Sequence, residues 1–362
     1  MTFHLPVYHE PDFTLEELKN APVAEFVPAP ADGVAPYYYH ATSNFPEYIK
    51  TDEDTWTLCH ESRMDCVVAF EKDGLVVKEF RNISKDEPIL VGRKENGEEG
   101  IFVYTEGFEK HKEVTDKFQF KTRATRETPF SRDYDFLYDL LKFEKDNGFI
   151  TWILGPAVTF DMDSRIAMER LIKNGYCHAI MAGNALATHD LEVGYLGTAL
   201  GQDIYNKQLK PLGHYNHLDT LNKVRQLGSI KNAIDVLDIK DGIIKKCIEY
   251  DIPFILAGSI RDDGPLPEVV ADVYNGQDVM REFAKKSTTV ISLATQLHSI
   301  AFGNMVPSYH IFGDVVRPVY FYVIDISEFA VDKLANRGSF QATGISTNVQ
   351  DFCVNLERAL IS

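Results

Sequence analysis

The chain has 362 residues, of which 44% are hydrophobic and 25% are charged. These fractions are close to the averages of folded globular proteins and exclude an intrinsically disordered chain. The formal net charge of −17 argues against a nucleic-acid-binding protein, because phosphate binding depends on clustered Lys and Arg side chains.

The first part of the chain predicts an arm followed by β-structure. Residues 1–35 are rich in proline and acidic side chains and predict an N-terminal arm. From 36 to 127 the pattern is typical of strands, and "DCVVAFEKDGLVVKEF" predicts two strands joined by a turn at residues 72–74. "EPILVGRKENGEEGIFVYTEGF" predicts another strand pair with its turn at residues 96–97. We therefore expect a small N-terminal β-rich domain over 36–127.

From residue 128 onward the pattern changes to alternating helices and strands. "FSRDYDFLYDLLKFEKDNG" has the apolar spacing of an amphipathic helix. The predicted strands that follow are "FITWILG", "CHAIMAG", "PFILAGS", "TTVISLATQ", "VYFYVIDIS" and "ATGISTN". Strands that are apolar throughout and alternate with helices indicate a parallel sheet covered on both faces. Residues 128–362 therefore predict a Rossmann-like α/β domain.

Small or polar residues follow every predicted strand. They are Gly155, Gly183 with Asn184, the segment from Gly258 to Asp263, the segment from Thr295 to His298, Asp325, and Thr347 with Asn348. Ligands of open α/β sheets bind at this carboxyl edge, where helix N-termini present free amides. Asp325 could bind a ribose diol or cap the next helix, and spacing alone does not favour either role. The G-x-G-x-x-G fingerprint is missing, so a dinucleotide would have to be held in another way.

Histidine motifs have equally ordinary explanations. His298 could be catalytic, a cofactor contact or a half-buried side chain bonded to a carbonyl, and the His189-Asp190 pair could simply start a helix. "GHYNHL" contains two histidines three residues apart but no carboxylate at ligand spacing, so we predict no metal site.

Cysteine usage and hydropathy predict a cytoplasmic protein. The five cysteines are scattered without a C-x-x-C pair, which favours reduced thiols over a disulfide framework. The first residues lack the pattern of a signal peptide, and no apolar run approaches the roughly 20 residues of a membrane helix. We expect a homo-oligomer with a small-molecule substrate and no membrane or nucleic-acid partner.

Several longer motifs resemble the archaeal-type ornithine cyclodeaminase family. They are "AGNALATHDLE", "GSIKNAID", "LAGSIRDDGPLPEVVADV", "ATQLHSIAFGNM", "VIDIS" and "NRGSFQATGIST". The family also forms the C-terminal part of cyanobacterial arginine-to-proline bifunctional enzymes and shares the LOR/SDH conserved region. The resemblance implies a β-rich domain followed by a Rossmann-like domain of deoxyhypusine-synthase type that binds NAD.

The resemblance also implies a set of cofactor contacts. Carried over motif by motif, they are Asn184, Ala185, Asp263, Thr295, Gln296, Leu297, His298, Asp325, Asn348 and Val349. It favours the ligand role of Asp325 and accounts for the missing glycine fingerprint. Four features depart from the family: Asn348 replaces a usual Asp, Gln296 replaces an apolar residue, "PSYHIFGDVVRPVYFYVID" contains extra residues, and the family usually has a further N-terminal domain.

The implied activity is the NAD-dependent conversion of ornithine to proline and ammonia with an internally recycled hydride. This chemistry needs a cation for the carboxylate, an acceptor for the amine and a base. The candidates are Arg261 for the carboxylate, Asp262 for the amine, His189 or Asp190 for proton transfer, and Arg63 and Asp65 to close the pocket. Each could instead belong to an ion pair that supports the crevice. The alternatives are an NAD-dependent amino-acid or opine dehydrogenase or imine reductase, and a non-catalytic NAD-binding protein.

Overall fold

The computed structural model describes residues 3–108, 131–262, 264–313, 315–327 and 342–361, which form two compact units. Unit 1 comprises the chain up to Leu137 together with Pro307–Val319. Unit 2 comprises Tyr138–Val306 and Tyr320–Ser362. The boundary predicted at residues 127–128 lies outside the described residues.

Unit 1 is built around two antiparallel sheets. Its strands are β1 (Glu25–Pro28), β2 (Glu47–Lys50), β3 (Trp56–Leu58), β4 (Val67–Glu71), β5 (Gly74–Lys78), β6 (Pro88–Val91) and β7 (Ile101–Val103), with a short helix α1 (Glu16–Lys19) in the predicted arm. One sheet has the order β1–β6–β4–β5 and the other has the order β3–β2–β7. Apolar side chains from both sheets, including Ile49, Val68, Leu90 and Ile101, pack into one core.

The two predicted strand pairs of this region have different outcomes. β4 and β5 pair in antiparallel register through the predicted turn at residues 72–74, which confirms the first pair. The second pair is wrong, because β6 pairs with β1 and β4 whereas β7 pairs with β2. Leu90 of β6 and Ile101 of β7 belong to the same buried cluster. Burying both side chains between the two sheets places β6 and β7 in different sheets.

Unit 2 contains a seven-stranded parallel sheet. Its strands are β8 (Ile150–Leu154), β9 (Ala179–Gly183), β12 (Phe254–Ala257), β13 (Val269–Val270), β14 (Thr289–Leu293), β17 (Tyr320–Asp325) and β18 (Ala342–Ser346). The spatial order is β13–β12–β9–β8–β14–β17–β18, and every neighbouring pair is parallel. All five residues of β8 and of β14 are buried, as a sheet covered on both faces requires. The prediction of an α/β parallel sheet is confirmed, and the two-residue β13 adds a strand that the sequence did not predict.

Helices connect these strands and begin and end at recognisable signals. They are α2 (Ser131–Asn147), α3 (Met162–Lys173), α4 (Asn184–Leu196), α5 (His214–Leu227), α6 (Ile230–Val236), α7 (Ile243–Glu249), α8 (Val273–Ala284), α9 (Gln296–Met305) and α10 (Val349–Ile361). Asp161 caps α3 by accepting from the backbone N–H of Ser164 at 3.1 Å. Gly197, at φ +70°, ends α4 in the left-handed conformation. No helix within the described ranges is long and apolar enough to cross a lipid bilayer.

Two short hairpins complete the described structure. One lies after α4 and consists of β10 (Thr198–Ala199) and β11 (Gln202–Asp203). The other consists of β15 (Tyr309–Phe312) and β16 (Val315–Pro318), within the segment predicted to contain extra residues. It belongs to unit 1, where the buried Tyr309 hydroxyl donates to the Cys59 carbonyl at 2.5 Å.

The strand order places a topological switch point at the centre of the sheet. From β8 the chain moves outward to β9 and β12 on one side, and later to β14, β17 and β18 on the other. This is the 3-2-1-4-5-6 order of the Rossmann fold, with an additional edge strand β13. Ligands of such sheets bind outside the carboxyl ends of the strands where the order reverses. The reversal here lies between β8 and β14.

Candidate functional site at the carboxyl edge of the sheet

The strand register aligns the ends of the strands, so that the predicted polar segments begin at the same edge of the sheet. Ala257 lies opposite Gly183, Ala182 opposite Leu154, Leu154 opposite Leu293, and Asp325 opposite Ser346. The residues that follow β9, β12, β14, β17 and β18 therefore leave the sheet at the same edge. Of these, Asp263 lies outside the described residues.

At the switch point, the backbone segments at the ends of β8 and β14 lie very close together. The N–H of Gly155 donates to the carbonyl of Leu293 at 2.8 Å. A Cβ atom at position 155 would lie 2.0 Å from the carbonyl oxygen of Ala294, so only glycine fits there. Ala294 itself has a φ of +49°, a conformation that non-glycine residues rarely adopt. The backbones of the loops that follow β8 and β14 are therefore in direct contact, with no side chain between them.

His298 reaches from α9 to the end of β9. Its Nδ1 lies 3.1 Å from the Thr295 hydroxyl, and a Cβ atom at Gly183 would lie 2.9 Å from its Cε1. The imidazole therefore covers Gly183 and links the two sides of the switch point. Burial lowers the pKa of His298, and the nearby Asp262 carboxylate opposes that shift without cancelling it. His298 is accordingly neutral at pH 7, with a carboxylate near it.

The charged segment after β12 forms a tight turn at the same edge. The half-buried Asp262 accepts from the N–H of Ser259 at 2.9 Å, and the Ser259 hydroxyl accepts from the N–H of Arg261 at 3.2 Å. Asn184, the first residue of α4, accepts from the N–H of Leu266 at 3.0 Å and so anchors the far end of this loop. Through these bonds the turn after β12 fixes Asp262 and leaves Arg261 exposed.

The remaining predicted cofactor contacts lie at the first turns of helices or at strand ends. Ala185 follows Asn184 in α4, Gln296 and Leu297 are exposed in the first turn of α9, and Val349 is the buried first residue of α10. Asn348 caps α10 by accepting from the N–H of Gln350 at 2.8 Å. Oδ1 of Asp325 accepts from the N–H of Ser327 at 2.8 Å, a bond expected from the capping interpretation. The helix predicted after Ser327 lies outside the described residues.

Asp190 takes part in a buried ion pair and is not presented at the edge. Its Oδ1 accepts from Nε of Arg165 at 2.7 Å and from the N–H of Ile243 at 3.1 Å, and its Oδ2 accepts from the N–H of Ile244 at 2.8 Å. Arg165 is 0% exposed and also pairs with Asp241. These bonds join α3, α4 and α7, and they engage both carboxylate oxygens of Asp190.

His189 lies beside a different carboxylate, which sequence reasoning missed. Its Nδ1 is 3.2 Å from Oε2 of Glu192, and its ring centroid is 5.1 Å from that of His217. The available signal was the H-x-x-E spacing in "THDLE", which places residues 189 and 192 on one face of α4.

The predicted substrate residues of unit 1 have contrasting environments. Arg63 is 1% exposed and pairs with Oε1 of Glu61 at 3.1 Å and with Oε1 of Glu79 at 2.9 Å. Two carboxylates therefore neutralise its charge within unit 1. Asp65 is exposed and has a φ of +65°.

The edge of unit 2 has the groups that a dinucleotide requires. The N-termini of α4 and α9 present amides for phosphate, and the strand-end carboxylate of Asp325 suits a ribose diol. The bare backbone around Gly155 lets a ligand approach the sheet closely. The donor set therefore fits a dinucleotide that is held without the glycine fingerprint.

Comparison with known proteins gives consistent matches over most of the chain. Residues 136–356 match the family model of the arginine dihydrolase ArgZ-like C-terminal Rossmann fold. The chain is 35% identical to the ornithine cyclodeaminase of Methanopyrus kandleri over 344 residues, covering 92% of this chain and 77% of the relative. It is 30% identical over 346 residues to AgrE of Nostoc, a bifunctional arginine dihydrolase/ornithine cyclodeaminase, covering 93% of this chain and 46% of AgrE.

Solved structures are also similar to this chain over most of its length. A conserved protein of LOR/SDH type from Methanococcus maripaludis S2 has a TM-score of 0.83 and 33% identity, covering 94% of this chain and 98% of that chain. The ternary complex of AgrE with ornithine and NAD+ has a TM-score of 0.58 and 28% identity, covering 94% of this chain and 46% of that chain.

Proposed function

Because the chain belongs to the family of archaeal ornithine cyclodeaminases and ArgZ-like C-terminal domains, we propose that it is an NAD-dependent ornithine cyclodeaminase. The reaction would convert ornithine to proline and ammonia. One observation supports this above the others: a chain related to ornithine cyclodeaminases over nine-tenths of its length has Asn184, Asp262, His298 and Asp325 along the carboxyl edge of a Rossmann sheet. AgrE, a relative of the same fold, binds ornithine and NAD+ together.

The proposed cofactor site uses the edge residues in separate roles. The amides at the starts of α4 and α9 would hold the phosphates, and Asp325 would hold a ribose. Bound NAD+ supplies a hydride acceptor for Cα of ornithine and, after ring closure, a hydride donor for the cyclic imine. The missing glycine fingerprint after β8 supports the further proposal that unit 2 is of the deoxyhypusine-synthase type.

Asp262 and Arg261 are the proposed substrate contacts. The Ser259 N–H fixes one oxygen of Asp262 at 2.9 Å, and the carboxylate would accept from a substrate ammonium group in a charge-assisted bond. The exposed Arg261 would bind the substrate carboxylate through its planar guanidinium. Arg63 and Asp65 stay predicted substrate residues of unit 1, where Glu61 and Glu79 balance the charge of Arg63.

His298 is the proposed base. A Thr295 hydroxyl that accepts from Nδ1–H leaves Nε2 as a proton acceptor, and the lowered pKa of His298, caused by burial, keeps it neutral at pH 7. Asp190 is a weaker candidate because Arg165 and two backbone amides engage its carboxylate. His189 is also a weaker candidate, because it lies against Glu192.

The deciding experiment follows ammonia, proline and NADH absorbance when the purified chain is incubated with ornithine and NAD+. We expect ammonia and proline in equal amounts with no net NADH. Accumulation of NADH would show a dehydrogenase instead. NAD+ binding without any turnover of an amino-acid panel would show a non-catalytic NAD-binding protein.

A matched pair of variants locates the chemistry within unit 2. Asp262→Asn should abolish most ammonia release while leaving NAD+ affinity nearly unchanged, since the proposed role of Asp262 is in substrate binding. Asp251→Asn removes the same charge from an exposed turn at the opposite end of β12 and should retain full activity. Equal activity of the two variants would remove Asp262 from the site.

A further inference from the structure

We propose that unit 2 binds one divalent transition-metal ion of the zinc class between α4 and α5, with His189, Glu192 and His217 as ligands. One nitrogen from each histidine and one oxygen from the glutamate all lie within 4.8 Å of one another. Two imidazoles and one carboxylate form a ligand set that zinc uses in proteins. The proposal does not depend on the proposed activity.

The spacing of the ligand atoms suits a metal ion. His189 and Glu192 are three residues apart on α4, and Nδ1 of His189 lies 3.2 Å from Oε2 of Glu192. Two ligands about 2 Å from a tetrahedral zinc ion are about 3.3 Å apart, so this pair already has the required separation. His217 comes from α5, and its ring approaches that of His189 at a centroid distance of 5.1 Å.

The third ligand has a buried atom that the described protein groups leave unsatisfied. Nδ1 of His217 is buried and has no hydrogen-bond partner among the described residues. His189 is 5% exposed and Glu192 is 0% exposed, whereas His217 is partly exposed. Buried polar atoms are nearly always paired, and a metal ion would pair this one. If the cluster only held the loop after α4 in place, Glu192 alone would be sufficient. The buried Nδ1 of His217 would then have no function.

A second layer of hydrogen bonds fixes the carboxylate. Oε1 of Glu192 accepts from the Thr198 hydroxyl at 2.7 Å and from the N–H of Gly201 at 3.0 Å, and Oε2 accepts from the N–H of Leu200 at 3.0 Å. Nδ2 of Asn216 in turn donates to the Thr198 hydroxyl at 2.9 Å. Such partners orient metal ligands and strengthen binding. Through them, the ion would tie α4 and α5 to the β10–β11 hairpin.

The test measures metal affinity on the full chain. The purified protein is stripped with a chelator and then titrated with Zn2+ against a chromophoric competitor, and with Co2+ while its visible d–d bands are followed. We expect one ion per chain and the spectrum of a cobalt site with nitrogen and oxygen ligands. A chain that binds neither ion at a defined site would overturn the proposal.

Variants on one helix provide the matched control. His217→Asn should weaken Zn2+ binding more than about 100-fold, because loss of a direct ligand exceeds the 10–100-fold cost of losing an outer partner. His214→Asn changes an exposed histidine one turn earlier on α5 and should bind like the unaltered chain. Equal affinities for the two variants would contradict the assignment.

A second variant guards against misfolding of His217→Asn. Thr198→Val removes one hydrogen bond to Glu192 and leaves all three ligands in place. We expect about 10–100-fold weaker Zn2+ binding from this change. Circular dichroism and NAD+ affinity measured on each variant report whether unit 2 is folded. A folded Thr198→Val protein with unchanged zinc affinity would contradict the proposed second layer.

Discussion

At the residue scale, two glycines determine what can approach the switch point. Gly155 allows the loops after β8 and β14 to meet through backbone alone, since a Cβ atom there would lie 2.0 Å from the Ala294 carbonyl oxygen. Gly183 gives space to the His298 ring, whose Cε1 would lie 2.9 Å from an added Cβ. The His298 ring can occupy its position only because residue 183, at the end of β9, has no side chain.

This dependence predicts a specific effect of Gly183→Ala. The added methyl group must displace the His298 ring, because a side chain moves more easily than the strand. Since His298 is a predicted cofactor contact, we expect NAD+ affinity to fall about tenfold, equivalent to about 1.4 kcal/mol. Calorimetric titration with NAD+ measures this. Gly276→Ala in α8 is the control, because the atoms nearest to an added Cβ belong to Val270 and lie at 3.9 and 4.0 Å, so the change should leave affinity unaltered. Unchanged affinity in Gly183→Ala would show that the ring position does not matter for binding.

Asp190 provides a second residue-scale prediction, which separates a structural role from a catalytic one. Asp190→Asn removes one of the two carboxylates that pair with the fully buried Arg165. We expect the free energy of unfolding to fall by about 3 kcal/mol, at the lower end for buried pairs because Asp241 still neutralises Arg165. Urea denaturation measures the change. A variant of unaltered stability that has lost all turnover would instead assign Asp190 to catalysis.

At the scale of elements, the central strand of the sheet is fixed at its start by a histidine. The N–H of Ile150, the first residue of β8, donates to Nδ1 of His178 at 2.8 Å, and the N–H of His178 donates to the Ile150 carbonyl at 2.9 Å. This pair joins the start of β8 to the turn before β9. The bond to Nδ1 requires an unprotonated nitrogen, so this part of the sheet depends on pH.

The pH dependence has a defined sign. Burial lowers the pKa of His178 below the value of 6.5 in the unfolded chain, while the Lys145 backbone and Asp146 oppose the shift. Between 6.5 and the lower folded value the unfolded chain binds more protons, so stability is complete above pH 6.5 and falls as the pH drops through this window. Denaturation curves across the window measure the loss.

Variants assign this loss to His178. His178→Gln should flatten the pH dependence, whereas His60→Gln at an exposed position should leave it unchanged. His298 also has a lowered pKa and contributes to the pH dependence of stability. The contribution of His178 is therefore the difference between the pH dependence of the unaltered chain and that of His178→Gln. Identical pH dependence in all three proteins would refute the role of His178.

At the scale of the whole molecule, the chain visits unit 1 twice. It leaves unit 2 after Val306, forms the β15–β16 hairpin and returns to unit 2 at Tyr320. The N–H of Val319 donates to the carbonyl of Ser308 at 3.0 Å, so the ends of the hairpin are adjacent. A segment distant in sequence from the rest of unit 1 therefore belongs to it. The predicted homo-oligomer and cytoplasmic location stay predictions at this scale.

Replacing residues 309–318 with Gly-Gly tests this arrangement. Loss of the buried Tyr309 should lower the stability of unit 1 by about 3 kcal/mol or more, as seen for large buried aromatics. NAD+ affinity should change by less than about threefold, since all proposed cofactor contacts belong to unit 2. Hydrogen exchange of the β2 and β4 amides and titration with NAD+ measure the two effects. Tyr309→Phe, which removes only the bond to Cys59, should give a smaller loss, and strongly weakened NAD+ binding in the replacement would contradict the prediction.

Much of the fold and part of the candidate site could be predicted from local pattern. Apolar runs identified six strands of the parallel sheet, and the polar residues after them identified the edge that now contains Asn184, Asp262 and His298. Pairing between β6 and β7 was predicted wrongly, because alternation along a strand reports which face is buried but not which strand lies beside it. The same limitation hid the two-residue β13.

The sequence by itself determined the class of the fold, the family and the residues at the strand ends, because these depend on periodicity and on motifs within short segments. Only the tertiary structure decided which distant side chains meet. It placed Asp190 against Arg165, His298 over Gly183, and Glu192 beside His217, none of which are neighbours in the chain. Contacts of this kind depend on strand order and helix packing, and no local pattern specifies either.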